Sequence, residues 1–340
     1  MKNGEMVGAF ERAFADYVGG KYAIALCNGT ATLHTALAAL AMSRSTDVGM
    51  GWCGTVYVPP LTMSSTSLAV LHAGGTPQWI DVDPDTWLMQ QPPPGITIPV
   101  ALYGLNPILE WPQSVIIMDA AQTLAPHQQS SHFTSYSFQA SKILALGEGG
   151  MLVTNDEELA TSAREFASLG YRMAARQPRI NPETLKYPRA IRHHGLGWNY
   201  RMSDLVASEG ICELENIDKA VLGRAMNAAA YREVVRGCTW LTPQVVPATW
   251  MHDWWTFAVA LEHAELWEVF ADSMVRYGGE QPYAAWRLAY DEPVFGGLEA
   301  LSCPVAESLQ PRLVQFQTND LDSAERNAEA LVKVIRDLDG

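Results

Sequence analysis

The sequence has few cysteines, and none of them has the close spacing of a redox or zinc motif. Its 340 residues include five cysteines, an odd number, and no two are separated by two residues. A disulfide framework or a metal site is therefore not expected. No apolar run reaches the ~18 residues of a membrane helix, and the N-terminus lacks the apolar stretch of a signal peptide. We expect a cytoplasmic protein without membrane contact or bound metal.

Basic residues are also scarce. The chain has 23 lysines and arginines against 37 aspartates and glutamates, which gives a net charge of −14. Nucleic acid is thus not an expected partner, because phosphate backbones bind to basic surfaces. A small anion can still bind in a locally basic pocket. The Gly-x-Gly-x-x-Gly pattern is absent as well, which argues against a dinucleotide site.

Strand-like and helix-like segments alternate through the first half of the chain. Short apolar runs predict strands at 22–27, 55–60, 76–83, 96–104, 114–121, 135–138 and 151–154. Amphipathic or alanine- and leucine-rich segments predict helices at 8–18, 28–42, 62–74 and 156–170. This alternation indicates an α/β fold with a largely parallel sheet.

The pattern changes in the second half. Residues 171–198 are rich in Arg, Pro and His and have no period, and a helical region follows at about 203–236. Beyond residue 236 come the apolar run WWTFAVAL and two amphipathic helices, ELWEVFADSMVRYG and SAERNAEALVKVIRDL. We therefore predict a large domain of residues 1–235 and a smaller C-terminal α+β domain of residues 236–340.

Asp119 and Lys142 stand in unusual surroundings. Asp119 ends the apolar run VIIM, and ligands of open α/β sheets gather at the carboxyl ends of strands. Taken alone, Asp119 is more simply a turn or helix-capping aspartate, and Lys142 a solvated surface charge. Lys142, however, follows SYSFQAS and precedes the glycines of LGEGG, which allow a ligand to approach the backbone.

These two residues and a third element together indicate one cofactor. Strand 22–27 leads through Asn28 and Gly29 into helix 28–42, so that N–H groups and the positive helix end face an anion. Pyridoxal 5′-phosphate (PLP) chemistry needs such a phosphate site, a lysine that forms a Schiff base, and an acid that keeps the pyridine nitrogen protonated. The sequence therefore predicts a PLP enzyme with Lys142 and Asp119 at its centre.

Five segments then resemble, in order, the motifs of the DegT–StrS family. They are NGTATLHTAL, VPPLTMSSTSLAVLHAGGTPQWIDVD, MDAAQ, SYSFQASKILALGEGGMLVT and GWNYRMSDLVASEG. The stretch between Asp119 and Gly150 is the most specific, and the resemblance weakens after residue 236. It implies a fold-type I PLP-dependent sugar aminotransferase, in which a large domain carries a mostly parallel mixed sheet flanked by helices.

The resemblance also implies a role for each matching residue. Lys142 would carry the cofactor and shuttle protons, and Asp119 would pair with the pyridinium nitrogen. Gln122 would lie near the ring hydroxyl. The phosphate would be held by the helix start and a strand end, that is by Gly29, Thr30, Ala31 and Ser137.

Two further residues depend on the resemblance. Where the family has an aromatic residue stacked on the pyridine ring, this chain has Met63, whose thioether can pack on a ring. Asn199, in GWNYRM, would reach the phosphate of the partner subunit. The resemblance thus implies a homodimer with shared active sites.

The implied reaction moves an amino group from glutamate or glutamine to a keto-sugar, nucleotide-linked or not, or to a keto-cyclitol. One alternative is a PLP-dependent dehydratase or an aromatising enzyme of the same family. Lys142 argues against the sugar dehydratases, which have histidine there, but not against enzymes that make an aminohydroxybenzoate ring. A non-catalytic regulatory homologue is a third alternative, which the intact Lys142 and Asp119 disfavour.

Two remaining groups of residues have open interpretations. The arginines of 171–198 could bind a nucleotide diphosphate or a donor carboxylate, or could form a subunit interface. Those arginines are Arg172, Arg176, Arg179, Arg189 and Arg192, with His193 and His194 beside them. Trp250, Trp254 and Trp255 are predicted to be packing residues of the smaller domain rather than a binding site.

Overall fold

The computed structural model of the protein describes residues 4–44 and 54–339, so that Cys53 lies outside the described residues. The helices are α1 (Glu5–Val18), α2 (Gly29–Arg44), α3 (Ser65–His72), α4 (Glu157–Ala167), α5 (Asp204–Leu214), α6 (Ile217–Val235), α7 (Leu266–Arg276), α8 (Pro304–Leu309) and α9 (Leu321–Leu338). The strands are β1 (Tyr22–Leu26), β2 (Thr55–Val58), β3 (Thr76–Trp79), β4 (Ile96–Thr97), β5 (Leu105–Asn106), β6 (Val115–Asp119), β7 (Phe133–Ser137), β8 (Gly150–Thr154), β9 (Leu241–Pro243), β10 (Met251–His252), β11 (Thr256–Leu261), β12 (Tyr283–Ala284) and β13 (Leu313–Gln317).

A seven-stranded mixed sheet organises the first half of the chain. Its strand order is β1-β8-β7-β6-β4-β2-β3. The pairs from β7 through β6, β4 and β2 to β3 are parallel, whereas β8 runs antiparallel to both of its neighbours. The predicted α/β fold with a mostly parallel mixed sheet is thereby confirmed.

Apolar side chains cover both faces of this sheet. Along β6, Ile117 packs into a core shared with α2, α3 and α4, while Ile116 and Met118 pack into a second core shared with α1 and α5. Such alternation follows from the two-residue period of a strand. A strand that is buried on both faces reads as a continuous apolar run, which is why VIIM was recognisable in the sequence.

A second, antiparallel sheet follows in the order β12-β13-β11-β9. It packs against α6, α7 and α9, and the rings of Tyr231, Phe257 and Phe316 stack at its centre. Residues between 285 and 309 do not join this core, because Leu288, Phe295 and neighbouring side chains pack into the core of the large sheet. The division at residue 235 stays a prediction.

Two elements differ from the sequence-based expectation. The run 96–104 forms a strand only at Ile96–Thr97, since Pro99 has no N–H to donate to a sheet and Tyr103 has a φ of 64°. The helical region 203–236 is two helices, α5 and α6, which are separated at Glu215 and Asn216. Among the described residues, no helix is both long and apolar enough to cross a membrane. The cytoplasmic location stays a prediction.

Candidate active site

A cleft of about 610 Å³ opens beside the carboxyl ends of β6 and β7. Most of the predicted site residues line it, namely Gly29, Thr30, Ala31, Met63, Asp119, Ser137 and Lys142. Residues far apart in sequence meet here because β1, β6 and β7 lie close together in one sheet and present their carboxyl ends at the same edge. Gln122 and Asn199 do not line the cleft.

Asp119 is the last residue of β6 and has only 4% of its surface exposed. Its Oδ2 accepts a hydrogen bond from Thr66 Oγ1 at 2.8 Å, and its Oδ1 accepts one from the Ala121 N–H at 3.1 Å. Burial raises the pKa of Asp119, while the two hydrogen bonds and the positive charge of Lys142 oppose that rise. The carboxylate is held in place and would gain from a cationic partner in the cleft.

Lys142 follows β7 in a turn in which its N–H donates to the Gln139 carbonyl. Burial lowers the pKa of the Lys142 side chain, and the negative charge of Asp119 opposes that shift. Burial therefore shifts both Lys142 and Asp119 toward their neutral forms. A lysine in such surroundings is available as a nucleophile or base at a lower pH than a solvated lysine.

The start of α2 forms the third part of the site. The first N–H groups of a helix have no partner within the helix and attract anions. The Ala31 N–H donates to Asn28 Oδ1 at 2.8 Å, so Gly29 and Thr30 are the remaining backbone donors. A Cβ at Gly29 would lie 2.8 Å from Ser137 Cβ, so glycine is what lets the helix start approach the end of β7.

Gln122 and Asn199 have other surroundings. Gln122 is buried, and its Oε1 accepts a hydrogen bond from the Tyr103 N–H, so its predicted position near a ring hydroxyl stays a prediction. Asn199 is exposed and pairs through its backbone with Ser168. It does not line the cleft of its own chain, and its predicted role in a partner subunit also stays a prediction.

Two tryptophans form a wall of the cleft that the sequence did not indicate. Trp255 and Trp286 both line it, with their rings stacked at 6.0 Å and 17°. The expectation that Trp250 and Trp255 pack within the smaller domain was therefore wrong, because both pack against the core of the large sheet and Trp255 also lines the cleft. Trp254 does pack there, stacked on His252 and beside Phe257. Met63 lines the cleft with 51% of its surface exposed.

Three further residues of the site belong to the sequence motifs, although no local pattern marks them: Glu148 and Tyr200 line the cleft, and Thr66 lies behind Asp119. Thr66 positions Asp119, and Glu148 and Tyr200 belong to LGEGG and GWNYRM. The Tyr200 hydroxyl is 3.1 Å from Nδ1 of the buried His34, whose pKa burial lowers to about 4. The hydrogen-bond partners of these residues depend on tertiary contacts, which a local pattern does not reveal.

The arginines of 171–198 lie elsewhere. Arg172 is 3.7 Å from Glu165, Arg176 lies over the ring of Tyr22, and Arg179 donates to the Met202 carbonyl. Among the described residues that line the cleft, Lys142 is the one lysine or arginine. A single chain thus offers little positive charge to a diphosphate.

The chemistry of the donor set fits PLP. The start of α2 and the Ser137 hydroxyl can hold a phosphate, Asp119 can pair with a pyridinium, and Lys142 can bond to an aldehyde carbon. Within the described ranges, no group of three His, Cys, Asp or Glu side chains is placed to hold a metal ion.

Comparison with known proteins agrees with this geometry. The sequence matches the family described as the DegT/DnrJ/EryC1/StrS aminotransferase family over residues 1–92 and 104–330. It is 32% identical over 280 residues to GDP-perosamine synthase of Caulobacter vibrioides. The matched region covers 76% of this chain and 70% of that protein. It is 30% identical over 259 residues to the putative pyridoxal phosphate-dependent aminotransferase EpsN of Bacillus subtilis, covering 68% and 61%.

The fold is likewise similar to solved structures. A crystal structure of 3-amino-5-hydroxybenzoic acid synthase superposes with a TM-score of 0.81 at 22% identity, covering 98% of this chain and 91% of that one. This likeness confirms the fold-type I architecture that the sequence motifs implied.

Proposed function

This chain belongs to the DegT/DnrJ/EryC1/StrS aminotransferase family and is a PLP-dependent aminotransferase, and from that premise we propose that it aminates a keto-sugar. The amino donor in this proposal is glutamate or glutamine. The acceptor is a nucleotide-linked keto-sugar or a related keto-cyclitol, which is supported by the name of the Caulobacter relative, a synthase of GDP-perosamine. When bound, PLP supplies an electron sink for the carbon that gains or loses the amino group.

The observation that carries the proposal is the meeting of Lys142, Asp119 and the start of α2 in one cleft. Asp119 would hold a proton on the pyridine nitrogen, because a buried carboxylate favours a cation beside it. Gly29, Thr30 and Ser137 would orient the phosphate end. Lys142 would bind the cofactor, and once released from it would carry the proton at the reacting carbon.

The lowered pKa of Lys142 matches this last role. A lysine can accept a proton only when it is neutral, and burial shifts its titration toward neutral pH. Asp119 opposes the shift as long as its carboxylate faces Lys142 alone. A pyridinium beside Asp119 would compensate that negative charge and leave Lys142 more readily neutral.

We propose that two copies of the chain share their active sites. Asn199 is exposed and does not line the cleft of its own chain, which leaves it accessible to a neighbouring subunit and supports a role there. Lys142 is needed at the reacting atom, so the phosphates of a nucleotide would need cations from outside the cleft of one chain. The arginines of 171–198 in a second copy are the candidates for that contact.

Shared sites can be tested by mixing two inactive variants. In a heterodimer of Lys142→Ala and Asn199→Ala chains, one site would hold both an intact Lys142 and an intact Asn199. Random reassociation should then restore about a quarter of the wild-type activity. If Asn199 instead served its own chain, every site would keep one defect and no activity would return.

The proposed function itself is tested by the amino-group donors that the enzyme accepts. The PLP-loaded protein should be incubated with amino-sugars, aminocyclitols, glutamate, glutamine and other amino acids. Conversion of the cofactor to its aminated form by glutamate or glutamine, and by an amino-sugar or aminocyclitol, is the expected result. Loss of water with release of an aromatic product would support the aromatising alternative, and no conversion by any amine would contradict the proposal.

A further inference from the structure

Lys142 lies against the face of an indole ring. Its Nζ is 4.7 Å from the centroid of the Trp255 ring. The π-electrons of an indole face attract cations, and tryptophan does so more strongly than the other aromatic residues. The aromatic wall of the cleft, which consists of Trp255 and Trp286, therefore contacts Lys142 at the nitrogen that would react.

Trp255 is fixed in this position by polar contacts. Its Nε1 donates to the carbonyl of Ser141 at 2.7 Å, one residue before Lys142. The preceding residues are tied to the loop that follows β6, since Asp253 Oδ2 accepts from Thr123 Oγ1 at 2.6 Å and from the Leu124 N–H at 2.7 Å. The indole thus keeps its place whether or not a cation lies over it.

In a transaminase, the amino group of the substrate takes the place of the lysine nitrogen. We propose that Trp255, stacked on Trp286, is a specificity-determining residue whose face receives the cationic amino group and the adjoining C–H face of a ring-shaped substrate. The inference rests on the proposed function, because it requires an amine to replace the Lys142 nitrogen.

The surroundings of the cleft favour this use of the ring. Met63 leaves the cleft without the ring that the family motif places after Thr62. Burial penalises a cation here, as the lowered pKa of Lys142 shows, and an indole face offsets part of that penalty without introducing a negative charge. The C–H bonds of a pyranose or cyclohexane ring also pack well on such a face.

Two variants at one position separate the ring face from its hydrogen bond. Trp255→Leu keeps an apolar side chain but has no π face, whereas Trp255→Phe keeps a face and loses the bond to Ser141. Trp267→Phe is the matched control, because Trp267 is half-buried in α7 and donates Nε1 to the Leu313 carbonyl outside the cleft. Trp286→Leu serves as a second variant should Trp255→Leu fail to fold.

The first measurement is the apparent Kd of cyclohexylamine for the PLP-loaded proteins. The change in the absorbance of the cofactor reports the binding. Trp255→Leu should bind about tenfold more weakly than wild type, Trp255→Phe within about threefold, and Trp267→Phe should equal wild type. Equal Kd values for wild type and Trp255→Leu would overturn the inference alone. A wild type that takes no amine at all would overturn both the inference and the proposed function.

The second measurement needs neither cofactor nor turnover. Acetic anhydride modifies neutral lysines, and peptide mass spectrometry gives the rate at Lys142 in the cofactor-free protein. Loss of the ring face in Trp255→Leu should lower the pKa of Lys142 further and increase its modification rate at neutral pH about tenfold. Trp267→Phe should leave the rate unchanged, and an unchanged rate in Trp255→Leu would overturn the inference.

Discussion

The two walls of the cleft are built in different ways. The lysine wall, which carries Asp119 and Lys142, lies at the carboxyl ends of β6 and β7. Both are central strands of the seven-stranded sheet, with a neighbouring strand on each side. The aromatic wall consists of Trp255 and Trp286, which come from the loops around the four-stranded sheet. The residues proposed to hold the cofactor lie at or just beyond the ends of regular strands, whereas irregular segments supply the surface that a substrate would touch.

A narrow seam joins the aromatic wall to the segment that connects β4 and β6 of the large sheet. The strands β5 and β10 pair over two residues, and the Asp253 N–H donates to the Gly104 carbonyl. A Cβ at Gly104, whose φ is +106°, would lie 2.8 Å from the backbone nitrogen of Trp255. Trp254 itself has a φ of 51°, which is uncommon for a bulky residue. Changes to the seam should therefore affect the aromatic wall more than the lysine wall.

The largest effect is expected at Lys142. Lys142→Ala should still bind the cofactor through Asp119 and the start of α2, yet lose at least about a thousandfold in turnover, because the group that carries the proton is removed. Single-turnover absorbance with an accepted amine measures this. Lys186→Ala, an exposed lysine paired with Glu183, is the control and should equal wild type. A Lys142→Ala enzyme at the wild-type rate would place the proton transfer on another residue.

Asp119→Asn tests the other half of the lysine wall. The variant should retain the cofactor but lose about a hundredfold in turnover, since a neutral amide does not favour a protonated pyridine nitrogen. The exposed Asp85 gives the control variant Asp85→Asn. Turnover within twofold of wild type would show that Asp119 does not act on the pyridine nitrogen.

Asp253→Ala tests whether the aromatic wall can be altered without affecting the lysine wall. It would leave Thr123 Oγ1 and the Leu124 N–H without their acceptor and lower the free energy of unfolding by about 3 kcal/mol. In the folded fraction, KM for amines should rise while cofactor affinity stays near wild type. Denaturant unfolding measures the loss of stability, amine titration measures the KM, and cofactor titration measures the cofactor affinity. The exposed Asp272→Ala is the control. An equal loss of cofactor and amine binding would mean that the walls are not independent.

The smallest effect is expected at Thr66, which acts through Asp119. Thr66→Val removes the hydrogen bond that lowers the pKa of Asp119, so that pKa should rise. Activity that needs the ionised carboxylate is lost as the pH falls through this pKa. The acid limb of the pH–rate profile should therefore move to higher pH. At pH values below the raised pKa of Asp119, the variant should have about tenfold less activity than wild type. Thr66→Ser keeps the hydroxyl and should restore the profile, and an unshifted limb in Thr66→Val would contradict the role.

The same difference between the walls explains what the sequence could predict. Asp119 ends one buried strand and Lys142 follows another within one contiguous motif, so local patterns were sufficient to find them. Thr66 stood in a recognised segment, but its bond to Asp119 spans 53 positions and has no local signature. No sequence pattern marks Trp255 or Trp286, because Trp255 is placed by the seam and Trp286 by its packing against the core of the large sheet. The run 96–104 reads as a strand, but only tertiary structure shows that Tyr103 turns the chain at a positive φ.

The covalent link between the cofactor and Lys142 is the central claim, and one measurement tests it directly. The purified, PLP-loaded protein should be reduced with borohydride, digested and mapped by mass spectrometry. The account predicts a pyridoxyl label on the peptide that contains Lys142 and on no other lysine at stoichiometric yield. A label on Lys186 or Lys219 instead, with Lys142 unmodified, would contradict it.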